Sequence, residues 1–223
     1  MSIAENLHKV RERIADAAAK AGRNPGDITL IAVTKTVGVE RIREAIHAGI
    51  WDAGENYIQD TLGKFEAIGR AVRWHMIGHL QTNKVRQAVP VFDLIQSVDG
   101  MSLAREIGKR SAALGKSTQV LVEVNISGEE SKFGVKPEDA LGLCESMAGI
   151  ECVELRGLTG IAPFVDDQDA IRRSFALLRG LWEKLPGEHR QWLSMGMSSD
   201  FETAIDEGSN MVRVGTAIFG PRE

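Results

Sequence analysis

The sequence predicts an α/β protein built as a single (β/α)8 barrel of the TIM type, with an extra helix at its amino end. Three observations predict it. Short apolar, β-branched runs alternate with stretches of helical periodicity along the 223 residues, giving eight strand–helix units. The runs are apolar on both faces, the pattern of parallel strands covered by helices. The Gly-x-Gly-x-x-Gly fingerprint of dinucleotide binding is absent after the first run, which leaves an open doubly wound sheet as the weaker alternative. With no linker, low-complexity stretch or clear internal repeat, residues 1–223 are expected to form one domain, with residues 1–22 packed outside the barrel.

The amino-terminal helix carries Ile3, Leu7, Val10, Ile14, Ala17, Ala18 and Ala21 on one face, and Ser2 with Glu5 reads as a capping box. Gly22 and Asn24-Pro25-Gly26 stop it. The first strand is expected over Ile28–Val33, then a helix over Val39–Ala48. The second runs near Ile50–Ala53, with a helix over Tyr57–Ile68, and the third covers Val72–Ile77, with a helix near Asn83–Ala88. Leu94–Val98 is the fourth, followed by Met101–Leu114. Gln119–Val124 is the fifth, and Pro137 starts the next helix, where its missing N–H costs nothing. Cys152–Leu158, Gln191–Met195 and Met211–Val214 complete the strands. The intervening helices are Asp169–Leu185 and Phe201–Glu207, and a last turn includes Ala217, Ile218 and Phe219.

Composition excludes several classes. There are 27 Lys+Arg against 31 Asp+Glu, a net charge of −4, which argues against a dedicated nucleic-acid binder. No apolar run approaches the roughly 20 residues of a membrane span. Glu5, His8, Lys9, Arg11 and Arg13 interrupt any signal-peptide core. Cys144 and Cys152 lack metal or redox spacing, so a reduced, cytoplasmic setting is expected, with both as core or half-buried thiols. His75 and His79 flank Gly78 without a third metal ligand at suitable spacing. Trp182 and Trp192 are expected in helix–barrel packing.

In such a barrel, function sits where the strands end. Lys35 directly follows the first strand. Turned into the mouth it would be partly desolvated, which leaves more free amine to attack a carbonyl and form a Schiff base; position alone favours a solvent-facing lysine. Ser198, Ser199 and Asp200 follow the seventh strand and either suit an anion or simply cap a helix. Gly215 allows close backbone approach after the eighth strand, and Thr216 adds a hydroxyl and an N–H. Anion-suited residues after both the seventh and eighth strands, beside the first, point to a phosphorylated aldehyde: pyridoxal 5′-phosphate (PLP) or a sugar phosphate. Glu123 and Asn125 end the fifth strand and are candidates to face the mouth, and Ser127–Gly134, with Glu129, Glu130 and Lys132, reads as a solvated loop.

Six segments together resemble the YggS/PROSC family of pyridoxal phosphate homeostasis proteins. They are Ala32-Val33-Thr34-Lys35-Thr36, Gly54-Glu55-Asn56-Tyr57, Trp74 to Lys84, Leu155-Arg156-Gly157-Leu158, Leu193 to Asp200, and Val212 to Gly220. Through that family the chain is similar to the barrel half of alanine racemase, a fold-type III PLP protein. The resemblance implies that Lys35 carries PLP as an internal aldimine. It places the phosphate on Ser198, Gly215 and Thr216, the pyridine nitrogen against Arg213, and Asn56 and His75 in the pocket wall. Leu158–Pro163 departs from the more usual methionine-containing form.

The arginine has a chemical consequence. A permanent cation disfavours protonation of the ring nitrogen, so the cofactor is a weaker electron sink and quinonoid chemistry is poor. Alanine racemase also draws a second base, a tyrosine, from a carboxy-terminal β-domain of its partner subunit. This sequence runs only to Glu223, just past the eighth strand, and its one tyrosine is Tyr57. The expectation is therefore a carrier or regulator in PLP homeostasis, not an enzyme. The alternatives are a PLP-dependent amino-acid racemase or decarboxylase with weak turnover, a Schiff-base aldolase acting on a sugar phosphate, and a barrel that only scaffolds. Expected partners are PLP and PLP-dependent apo-enzymes, with no nucleic acid, metal or membrane. A monomer is expected, with a dimer next.

Overall fold

A computed structural model describes residues 2–129 and 131–221. Glu130, in the loop after the fifth strand, and Glu223 lie outside the described residues. The strands are β1 (Thr29–Val33), β2 (Asp52–Glu55), β3 (Arg73–Met76), β4 (Leu94–Val98), β5 (Thr118–Val124), β6 (Val153–Gly160), β7 (Trp192–Ser194) and β8 (Met211–Val214). They pair in chain order, and β1 pairs in parallel with β8, so the sheet closes into a barrel. Outside it run α1 (Ile3–Lys20), α2 (Val39–His47), α3 (Ile58–Ile68), α4 (Val85–Ala88), α5 (Met101–Ala113), α6 (Pro137–Met147), α7 (Gln168–Trp182), α8 (Phe201–Asp206) and α9 (Thr216–Phe219). This is the (β/α)8 TIM barrel with an added amino-terminal helix.

Two apolar layers hold it. The larger lies between strands and helices and includes Trp74, Phe92, Phe175 and Phe201, all fully buried. The smaller fills the barrel itself with Ile31, Leu94, Leu121 and Met211, and Trp192 packs against it. Trp192 therefore belongs to the barrel interior, not to the helix–barrel layer. The odd–even alternation of β1, β7 and β8 turns it inward with Met211.

The α1 helix starts on a capping box: Ser2 Oγ accepts from Glu5 N at 3.2 Å, and the Glu5 carboxylate accepts from Ser2 N at 2.8 Å. Its apolar face is buried, and its polar side chains reach both ends of the sheet. Asn6 donates to the Ile218 carbonyl at 3.0 Å, Arg13 pairs with Glu202 at 2.7 Å, and Arg11 donates to the carbonyls of Ala48 and Gly49. The helix thus bridges the seam where β1 meets β8.

Several element boundaries differ from the sequence expectation, three of them instructively. The second strand covers Asp52-Ala53-Gly54-Glu55, two residues later than Ile50–Ala53, and all four residues are buried. Its selection is spatial: a Cβ at Gly54 would lie 2.8 Å from Ile31 Cγ2, so this position needs glycine although glycine is a poor strand former. The helix expected near Asn83–Ala88 splits into a 3-10 turn, Thr82–Lys84, and the short α4. The sixth strand continues to Gly160 through Gly157 at φ 147°. Among the described residues, no helix is long and apolar enough to cross a membrane.

Candidate cofactor site

Lys35 sits in a turn that the neighbouring strand grips. Thr34 N donates to the Gly54 carbonyl at 2.9 Å, and Val37 N closes the turn on the Thr34 carbonyl at 2.9 Å. Thr34 Oγ1 donates to Glu55 Oε1 at 2.6 Å. Lys64 Nζ joins them, 2.7 Å from Glu55 Oε1 and 2.8 Å from the Thr34 carbonyl. Glu55 is fully buried and its Oε2 has no partner. Thr36, next to Lys35, is left-handed at φ 64°, a conformation that costs a β-branched residue on the order of 1–3 kcal/mol. The Glu55–Lys64 anchor, which sequence reasoning missed, is what holds that turn.

Across the seam, Gly215 N donates to Ser198 Oγ at 3.3 Å, and Asp200 Oδ1 accepts from Met197 N at 2.6 Å. A Cβ at Gly215 would stand 3.3 Å from Val33 Cβ, so the backbone of β8 lies directly against the end of β1. Lys35, Thr36, Arg41, Gly215 and Thr216 line one depression of about 150 Å³. Arg41 adds a cation that the sequence reading did not single out, and its Nη2 donates to the Phe219 carbonyl.

Arg213 points into the barrel and is 5% exposed. Nη1 donates to Ser194 Oγ at 2.6 Å, Thr159 Oγ1 at 2.8 Å and the Ser194 carbonyl at 2.9 Å, and Nη2 donates to the Gly160 carbonyl at 3.0 Å. Burial lowers its pKa to about 10, against the raising influence of Glu123 and Asp200, so it remains a cation at neutral pH.

A second depression of about 470 Å³ opens beside Asn56, Tyr57, Met76, Ile77, Glu123, Phe133 and Ile161. His79 and Phe133 stack at its rim with ring centroids 3.9 Å apart. The sequence expectation put Asn56 and His75 together in the pocket wall. Asn56 lines this depression; His75 lines neither, being buried within the barrel between Asp52 and Gln96. Burial would raise the Asp52 carboxyl, but the hydrogen bond from His75 and the hydrogen bond and charge of Arg73 outweigh it and hold it below the usual carboxylate range. Burial also pushes the Cys144 thiol up to about 12, which makes it inert. Among the described residues, no cluster of three metal-ligating side chains exists.

Glu123 reaches the mouth with Oε2 unpartnered. Burial pushes its carboxyl up to about 7; the Arg213 charge pulls it down and Asp99 pushes it up further. The folded protein therefore holds this proton more tightly than the unfolded chain. Its stabilising contribution is full below about pH 4.5 and is lost as pH rises through about 7, a change of about 3 kcal/mol. Parent and Glu123→Gln melts at about pH 5 and about pH 8 check this: the parent is expected to lose stability relative to the variant. A pH-independent difference contradicts it.

The profile of the alanine racemase N-terminal domain family matches residues 3–223. The chain belongs to this family. Within it, the chain is similar to pyridoxal phosphate homeostasis proteins. It is 42% identical to that of Pseudomonas aeruginosa over all of this chain and 96% of the relative, and 42% identical to that of Aquifex aeolicus over the whole of both. A solved structure of PipY from Synechococcus elongatus with PLP bound superposes with a TM-score of 0.83 at 33% identity, covering 98% of this chain and 100% of that one. Alanine racemase from Clostridium difficile shares the fold, with a TM-score of 0.77 at 15% identity; this chain covers 57% of it.

Proposed function

We propose that this protein binds PLP as a Schiff base on Lys35 and acts in intracellular PLP homeostasis, as a cytoplasmic carrier or regulator and not as an efficient enzyme. The observation that carries this reading is one depression shared by Lys35, Gly215 and Thr216, with the buried Arg213 cation at the end of the same strand, β8. The residues fit the group. A side chain at Gly215 would crowd Val33, and the Gly215 amide donates to Ser198 Oγ, so an anion's oxygen entering between them would take over that N–H. When bound, the cofactor supplies an aldehyde that condenses with the lysine amine, with loss of water.

Each residue then has a stated task. Lys35 offers the amine. Ser198, Gly215 and Thr216 would hold the phosphate through hydroxyl and backbone N–H groups. Arg213 would keep a ring nitrogen placed beside it unprotonated, because a neighbouring fixed cation opposes a second positive charge. Asn56, just past β2, lines the neighbouring larger depression and would border the mouth from there; His75, inside the barrel, would act only through Gln96 and Ser194. PLP-dependent apo-enzymes are the proposed recipients, and a monomer is the proposed state.

A second reading, weak racemase or decarboxylase activity, is favoured by the unpartnered Glu123 carboxyl at the mouth. The test is the absorption spectrum of the purified protein before and after borohydride, with peptide mapping and assays for D-amino acid and CO₂. A pyridoxyl group on Lys35 without turnover is expected. An adduct on another lysine refutes the site, and turnover at ordinary enzymatic rates, about 1 per second or faster, refutes the carrier role.

A further inference from the structure

The polar side chains inside the barrel form one directed chain. A guanidinium only donates, so Ser194 Oγ must accept from Arg213 Nη1. The single proton of Ser194 then goes to Gln96 Oε1, 2.7 Å away. That fixes the carboxamide, and its Nε2 faces His75 Nδ1 at 3.2 Å and Met211 Sδ at 3.3 Å. Nδ1 is therefore the accepting nitrogen, and the ring carries its proton on Nε2, which donates to Asp52 Oδ1 at 2.8 Å. Asp52 Oδ2 accepts from Arg73 Nη2 at 2.7 Å, on a side chain that is 60% exposed. The links come from β8, β7, β4, β3 and β2, and reversing any one leaves a buried donor facing a donor.

Gln96 is the hinge of this chain. It is 2% exposed, beside Leu94 and Met211, where an apolar side chain would fill the same space without a desolvation cost. Both of its amide hydrogens and its oxygen are used. We infer that Gln96 is a positioning residue for Arg213: by taking the Ser194 proton it commits Ser194 Oγ to the guanidinium and holds that cation in place against the cofactor ring. The inference rests on the reading that the mouth holds PLP, and it adds a residue that touches neither PLP nor Lys35.

Gln96→Met keeps the volume and removes the acceptor. Gln96→Glu keeps an acceptor for Ser194 but presents oxygen to His75 Nδ1, which then takes a proton. In the cofactor-free protein, nitrogen-15 NMR is expected to show His75 protonated on Nε2 alone in the parent and on both nitrogens in Gln96→Glu. In the PLP-loaded protein, the pH midpoint of the absorption band is expected to move by about one unit or more in Gln96→Met and back toward the parent in Gln96→Glu. A folded Gln96→Met protein with the parent's titration overturns the inference, as does a parent ring protonated on Nδ1. If Gln96→Met does not fold, Ser194→Ala breaks the same link and is expected to give the same shift; a parent-like titration there overturns the inference. Failure of the parent to load PLP on Lys35 counts against the cofactor reading instead, and the ring-nitrogen measurement still decides the hydrogen-bond order.

Discussion

Lys35→Ala is expected to leave a folded protein with no borohydride-fixable pyridoxyl group. The loss is complete for the covalent signal, because condensation needs an amine at the end of β1. Retention of PLP through the phosphate cradle is expected to weaken at least about a hundredfold, or about 2.7 kcal/mol. Ultrafiltration binding with phosphate-free pyridoxal as the control separates the two contributions. Stability is expected to change little, since the turn is held by Thr34, Glu55 and Lys64. Covalent labelling that persists at another lysine is the result that defeats the assignment.

The largest structural effect is expected from Gly157→Ala. Gly157 has φ 147°, and a Cβ built there would stand 1.8 Å from the Trp192 carbonyl oxygen. No rotamer relieves that contact, because both partners are backbone. The strands must separate, and the register that pairs Leu158 with Leu193 and Thr159 with Ser194 goes with them. A cost of at least about 4 kcal/mol is expected. For a chain of this length that lowers Tm by about 8–16 °C. The same change displaces Thr159 and Ser194, both partners of Arg213, so any protein that survives is expected to show an altered PLP spectrum. A melting point within about 2 °C of the parent would show that β6 and β7 tolerate a wider gap than the geometry implies.

Much of the fold was legible because parallel strands are apolar on both faces and say so in runs such as Leu94-Ile95 and Val120-Leu121-Val122. The second strand was misplaced for the opposite reason. Asp-Ala-Gly-Glu has no strand propensity, and it is a strand because Ile31 and Ile77 leave room there only for glycine. In the site, Lys35, Gly215 and Thr216 could be named from their positions after strands one and eight. The Asp52–His75–Gln96–Ser194 chain could not, since each link comes from a different strand and only closure brings them together. One signal was available: Gln96 interrupts an otherwise apolar run and is buried, which marks a group that must find partners inside.

The seam bridged by α1 has a bearing on biogenesis. The proposed nucleophile precedes α2, and Gly215 and Thr216 follow β8, so the depression they line is made by a contact between segments far apart in the sequence. Such pairing is slow to form, because distant segments must meet before any reward accrues. A ribosome-bound chain still lacking its last strand has the lysine but lacks Gly215 and Thr216, two of the three proposed phosphate contacts. On the proposed reading, cofactor uptake follows closure of that seam and, once made, holds it against reopening by mass action.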